Sequence, residues 1–147
     1  HAGGGADMME AAVRGAAAGA ADAGVDAPAV IAVTVLTSMD ADTLASVGVN
    51  DSPADQVAGL AALARTSGVA GVVCSPQEAA AMRALLGPTA LVVTPGIRPE
   101  WAEAGDQARI ATPAGAIAAG ASHLVIGRPI TGADDPAAAF DRIVSER

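Results

Sequence analysis

The chain has 147 residues, enough for one domain with a sizeable core. It is 52% hydrophobic but only 1% aromatic, so that core must be built from Val, Ile, Leu and a great deal of Ala, as where helices pack closely on a parallel sheet. The formal net charge is −8, and all eight basic residues are Arg with no Lys; this argues against nucleic acid or an anionic membrane as main partner, yet leaves room for a small anion held by one or two Arg side chains.

The single cysteine, Cys74, rules out an intrachain disulfide framework and suits a reducing cytoplasm. The longest stretch free of charge, Ile110 to Gly127, contains Pro113, His123 and three glycines, which is unsuited to a membrane span. No secretory signal is visible. A start at His1, without Met and in a Gly-rich stretch, reads as an internal start, so a fragment of a longer protein is expected.

In chain order, a helix is expected from about Ala6 to Ala21, with Met9, Ala12, Val13, Ala16 and Ala17 on one face. Val30 to Leu36 (VIAVTVL) is a nearly continuous β-branched run, the pattern of a strand buried on both faces. Ser52-Pro53 then opens a helix, pairing an N-cap oxygen with Pro at the first helical position. Gly68 stands where that helix needs a left-handed residue. The next strand is Val69 to Cys74 (VAGVVC), followed by a helix start at Ser75-Pro76, where Glu78 completes a capping box. Gly87 ends that helix, and Thr89 to Thr94 (TALVVT) is the third strand. Thr112-Pro113 starts a helix closed by Gly120; His123 to Gly127 (HLVIG) is the last strand, and Asp135-Pro136 starts the last helix.

Helices and strands alternating at this spacing give right-handed β-α-β units and a parallel sheet. An open doubly wound sheet and a piece of a (β/α) barrel both fit, and a full barrel takes roughly 250 residues. Either way a ligand belongs at the C-terminal ends of the strands, and four clusters fall there. Gly127-Arg128-Pro129-Ile130-Thr131 follows the last strand and suits a phosphate, though a surface turn with a solvated Arg reads equally well. Thr94-Pro95-Gly96-Ile97-Arg98 leads into a loop reaching about Gln107, long enough to be a lid or binding loop, the alternative being a tolerated surface insertion; Trp101 within it is read as packing. Thr37-Ser38-Met39-Asp40 offers hydroxyls to a heterocycle, although such residues more often cap a turn. At Cys74-Ser75 the serine is read as a cap and the cysteine as core, with no base beside them in sequence. His1 and His123 do not have the spacing of a metal pair, and His123 is read as structural.

Taken together, these segments resemble one family. AVTVLTSM (Ala32 to Met39), GVVCSPQE (Gly71 to Glu78), VTPGIRP (Val93 to Pro99), GDQARIATP (Gly105 to Pro113) and VIGRPIT (Val125 to Thr131) follow His1-Ala2-Gly3-Gly4-Gly5 and Met8-Met9 in the order seen in bacterial orotidine 5′-phosphate decarboxylases. The match covers essentially the whole chain, and VTPGIR, DQ-R-TP and GRPIT are specific in combination.

The resemblance implies a parallel (β/α) TIM barrel of which residues 1–147 form about the second half, with four strands and flanking helices. It implies conversion of orotidine 5′-monophosphate to UMP in pyrimidine biosynthesis, without cofactor or metal, by a homodimer in the cytoplasm. Carried over by residue, Arg98, Arg128 and the Gly127 backbone would hold the phosphate. Gln107 would bridge the closing loop to phosphate and base, and Thr37 and Ser38 would contact the pyrimidine. The family's decarboxylation centre, an Asp-x-Lys-x-x-Asp motif with a further Asp and Lys, would lie upstream of His1. No catalytic residue is therefore assigned here, and the isolated chain is expected to be inactive. Half a barrel would also leave two unpaired strand edges and uncovered apolar surface, so the missing half is expected to be needed. The alternatives are another phosphate-binding barrel enzyme of hexulose-phosphate synthase type and a non-catalytic phosphate-binding remnant.

Overall fold

The four apolar runs form one sheet because each is short, β-branched and covered by helices that return the chain to the same edge. The structure, a computed structural model, describes residues 1–102 and 111–146. Its strands are β1 (Ile31–Val33), β2 (Gly71–Val73), β3 (Leu91–Thr94) and β4 (His123–Leu124), all parallel and in the order β1-β2-β3-β4. Ile31, Gly71 and Leu91 lie in register, as do Val93 and His123. Each strand is shorter than its apolar run. Backbone bonding carries on past the first strand only as far as Thr34, whose N–H donates to Val73 O at 3.1 Å, and past the last as far as Val125, which donates to Thr94 O at 2.9 Å. Apolar composition alone does not reveal where the partner strand stops.

The helices are α1 (Ala6–Ala23), α2 (Ala41–Ser46), α3 (Pro53–Thr66), α4 (Ala79–Leu86), α5 (Pro113–Ala118), α6 (Arg128–Thr131) and α7 (Pro136–Ser145). Their starts follow local chemistry. The side chains of Ser52, Thr112 and Asp135 accept from the backbone N–H of Asp55, Gly115 and Ala138, each with Pro in the first turn. Ser75 and Glu78 make the full capping box, over a single 3-10 turn that leads into α4. Gly68, Gly87 and Gly120 all take positive φ at the helix ends.

Two elements depart from the sequence reading. α2 is an extra helix between β1 and α3, capped by Asp40, whose side chain accepts from Thr43 N–H. With six residues and only Leu44 buried, it is too short to write a periodic stripe. In α1 the inward stripe is Met9, Val13, Ala16 and Ala20, whereas Ala12 and Ala17 are exposed. Alanine occurs on every side of this helix, so hydrophobicity does not pick out the buried face.

The main core lies between the sheet and α3 and α4. Val57, Ala61 and Ala64 of α3 are fully buried with Val72, Val92, Ala79 and Met82. A second, smaller core of Ile97, Ala116 and Ala121 lies beside β4 under α5. β1 and β4 are the outer strands, and Ile31, Leu36 and Val125 are exposed on or just after them.

Candidate functional site

Parallel strands bring every strand-to-helix connection to one edge, so the four clusters share that edge. Arg98 reaches it from β3. Thr94 is fully buried and its hydroxyl donates to His123 O at 3.4 Å, tying the end of β3 to β4. The chain then turns through Gly96 at φ 76, a left-handed conformation that a side chain would strain. Ile97, fully buried, forms a parallel bridge with Ala111, and Arg98 N–H donates to Ala111 O at 2.9 Å. Arg98 is only 7% exposed, with one guanidinium nitrogen donating to Ile97 O at 2.9 Å. A guanidinium carries five N–H donors, so this bond to a carbonyl leaves it able to bind a ligand as well.

Arg128 comes from β4. Gly127 precedes it as N-cap of α6, and Arg128 is the first residue of that short helix, exposed beside the buried Pro129. The segment Gly127–Thr131, which the sequence left open between a phosphate site and a surface turn, is closed into one helical loop by the Thr131 N–H to Gly127 O bond of 3.0 Å.

Arg98 and Arg128 line one cavity of about 350 Å³, together with Trp101, Ala102, Pro129, Gly132 and Ala133. That volume lies at the small end of small-molecule sites. Among the described residues the lining contains two cations and no acid, in a chain whose net charge is −8. Planar guanidinium forks facing a shared space suit a phosphate or carboxylate, which they can bind bidentately.

The other expected residues are not among the described residues that line this cavity. Thr37 and Ser38 occupy the turn after β1, closed by the Met39 N–H to Leu36 O bond of 2.9 Å; Thr37 is half-buried and Ser38 exposed, and neither is among the cavity-lining residues. Gly127 lies next to a lining residue without lining the cavity itself. Gln107 lies outside the described residues. At the end of β2, Cys74 and Ser75 are buried, and Ser75 serves the capping box, with its N–H donating to Glu78 Oε2 at 2.9 Å. His123 starts β4 in register with Val93 and is not among the cavity-lining residues, its Nδ1 3.0 Å from Ser122 Oγ.

Two arrangements were not legible in the sequence. Trp101 Nε1 donates to Glu146 Oε1 at 2.8 Å, and the Arg142 guanidinium carbon lies 4.6 Å from the indole centroid. These partners are 45 residues apart in the chain, and nothing local announces the contact. Arg83 reaches around the end of α4: Nη1 donates to Gly87 O and Ala90 O at 2.8 Å and to Pro88 O at 3.1 Å, and Nε donates to Gly120 O at 3.1 Å. An Arg in the last helical turn is a signal of carbonyl capping, but the reach to Gly120 depends on the fold.

Among the described residues no helix is long and apolar enough to cross a membrane, and no group of three or more His, Cys, Asp or Glu is placed to hold a metal ion.

Similarity to known proteins follows the same frame. Curated relatives named orotidine 5′-phosphate decarboxylase include one from Paramagnetospirillum magneticum, 58% identical over 146 residues, covering 99% of this chain and 62% of the relative. Another, from Anaeromyxobacter dehalogenans, is 54% identical over 145 residues, covering 99% of this chain and 60% of the relative. The crystal structure of orotidine 5′-phosphate decarboxylase from Lactobacillus acidophilus superposes with a TM-score of 0.85 at 42% identity, over 99% of this chain and 60% of that one. The chain therefore spans about 60% of the length of these proteins. Its four parallel strands with flanking helices are part of a (β/α) TIM barrel, which settles the choice against an open doubly wound sheet. The family model described as orotidine 5′-phosphate decarboxylase / HUMPS family matches residues 1–143, and the chain belongs to that family.

Proposed function

We propose that this chain serves the decarboxylation of orotidine 5′-monophosphate to UMP in pyrimidine biosynthesis, and that its own part is to grip the substrate. The observation that carries the reading is that Arg98 and Arg128 line one cavity at the C-terminal edge of the sheet, with no acid among its described lining residues. In this reading both bind the phosphate, with the Gly127 backbone beside them. Gln107 links the segment after Arg98 to phosphate and base, and Thr37 and Ser38 contact the pyrimidine.

The reaction breaks the bond between C6 of the ring and its carboxylate, releases CO2 and adds a proton at C6. Negative charge builds on the ring, far from the phosphate. Phosphate binding accelerates such a step only where its energy is realised in the transition state, by holding the ring against groups that stabilise the developing charge. The chain contains no Lys, so the Asp-x-Lys-x-x-Asp centre implied by the resemblance is supplied by residues other than these 147. Residues 1–147 then act as the C-terminal half of one barrel domain, working as a homodimer in the cytoplasm.

The test is calorimetric titration with UMP and, separately, ribulose 5-phosphate, the ligand expected of a hexulose-phosphate synthase-like site. UMP binds in preference. Arg98→Met and Arg128→Met each weaken UMP by about tenfold to a hundredfold, the loss of one charged hydrogen-bonding arm. Equal affinity of both variants and the parent for UMP refutes the reading. The 147-residue chain assayed for CO2 release from orotidine 5′-monophosphate gives no turnover; measurable turnover shows that a proton donor within these residues has been overlooked.

A further inference from the structure

One helix contacts both segments that carry the cavity's arginines. α7 packs along α6, whose first residue is Arg128. Its C-terminal end holds Trp101, three residues after Arg98: the indole Nε1 donates to Glu146 Oε1 at 2.8 Å, and Arg142 stacks on the ring with its guanidinium carbon 4.6 Å from the centroid. Arg142 Nε stands 3.4 Å from the same Glu146 oxygen, so one carboxylate oxygen receives both the indole and the guanidinium. Trp101 itself lines the cavity.

The end of α7 is thus one anchor of the segment carrying Arg98. Past the bridge at Ile97, its described backbone bonds are the 2.9 Å bond from Arg98 N–H to Ala111 O and the 2.9 Å bond from Ala102 N–H to Pro99 O, a local turn. Two arms binding one anion bind it tightly only when their separation is set in advance, since ordering them on binding would cost affinity.

We propose that Trp101, Arg142 and Glu146 form a clamp through which α7 positions Arg98 relative to Arg128, and so sets the width of the anion cavity. The proposal rests on the reading of that cavity as a phosphate site. The three side chains are positioning residues, acting on the anion through Arg98.

Three single variants of the full chain, and one of them repeated in an Arg98→Met background, test it with UMP and inorganic phosphate as probes. Trp101→Ala removes both the donor and the stacking surface; Trp101→Phe keeps a ring beneath Arg142 and loses the donor; Glu146→Gln keeps an acceptor oxygen and loses the charge. We expect Trp101→Ala to weaken UMP about tenfold and Trp101→Phe and Glu146→Gln about threefold each, from contacts of ordinary strength. In an Arg98→Met background, Trp101→Ala should add less than about twofold, because the arm it positions is gone. A merely structural role would give the same loss in both backgrounds. Trp101 is the only tryptophan, so its emission should also shift on titration with UMP, at the concentration that calorimetry reports.

The clamp is overturned if Trp101→Ala, with an unchanged melting temperature, binds UMP within about twofold of the parent, or if its effect is fully additive with Arg98→Met. Should Trp101→Ala fail to fold, Trp101→Phe and Glu146→Gln decide the matter by the same comparison. A parent chain that binds neither UMP nor phosphate overturns the phosphate reading instead, a result distinct from failure of the clamp.

Discussion

Gly71 is the position where a single methyl group should do most damage. It pairs with Ile31 on one side and Leu91 on the other, in the buried centre of the sheet. A Cβ added there would lie 2.6 Å from both the carbonyl carbon and the Cβ of Leu91, and closer still to the Leu91 oxygen. Ordinary contacts of this kind begin near 3.4 Å, so β2 and β3 would have to part by about an ångström against a spacing of about 4.8 Å. The Leu91 N–H to Ala70 O bond, now 2.9 Å, is the adjacent link and would be stretched beyond bonding range. Overpacking of this kind costs about 1–3 kcal/mol and a lost backbone bond about 1 more. Gly71→Ala should therefore destabilise the chain by about 3 kcal/mol, or roughly 10 °C in melting temperature for a chain of this size. Gly59→Ala is the internal control: Gly59 lies inside α3 with nothing within 4 Å of an added Cβ, so the change should stabilise by about 0.5–1 kcal/mol. Thermal melts by circular dichroism, with urea midpoints alongside, measure both. A Gly71→Ala melting temperature within about 3 °C of the parent would refute the reasoning, since that corresponds to only about 1 kcal/mol.

Two further predictions concern the ends of helices. Arg83→Met strips donors from four carbonyls and should cost about 2–3 kcal/mol by urea unfolding; Arg83→Lys should recover less than half of that, because an ammonium cannot spread its donors as the guanidinium fork does. At α2, Asp40 lies below its ordinary value of 3.8, held down first by the Thr43 hydroxyl and then by the Thr43 backbone N–H. A depressed carboxyl stabilises the fold above its unfolded value and loses that contribution as pH falls through its folded value. Asp40→Ala should thus lower the urea midpoint at pH 7, and the difference from the parent should shrink steadily below pH ~4. A gap that widens toward acid would mean that the carboxylate does not cap the helix as described.

Much of the frame was legible because it is written in local chemistry. Four helix starts can be read from Ser52-Pro53, Ser75-Pro76, Thr112-Pro113 and Asp135-Pro136, since a capping oxygen and a fixed φ act within one turn. The strands were legible as apolar runs but not in extent, because the partner strand decides where pairing ends. The inward face of α1 was half legible: Met9, Val13 and Ala16 were named, whereas Ala20 took the place expected of Ala12 and Ala17. α2 was missed because six residues carry too little pattern. Within the site, Arg128 was named as an anion binder from its place after the last strand, whereas the role of Arg98 came from the family resemblance.

By itself the sequence determined the alternation of strands and helices and the capping residues at four helix starts, all set by contacts within a few positions. Only the tertiary structure decided that Arg98 and Arg128 line one cavity, that Thr37 and Ser38 are not among its lining residues, and that Trp101 is held by Glu146 and Arg142. These partners are separated by tens of residues. Whether they meet depends on the summed turns of the intervening β-α units, which no short window of sequence encodes.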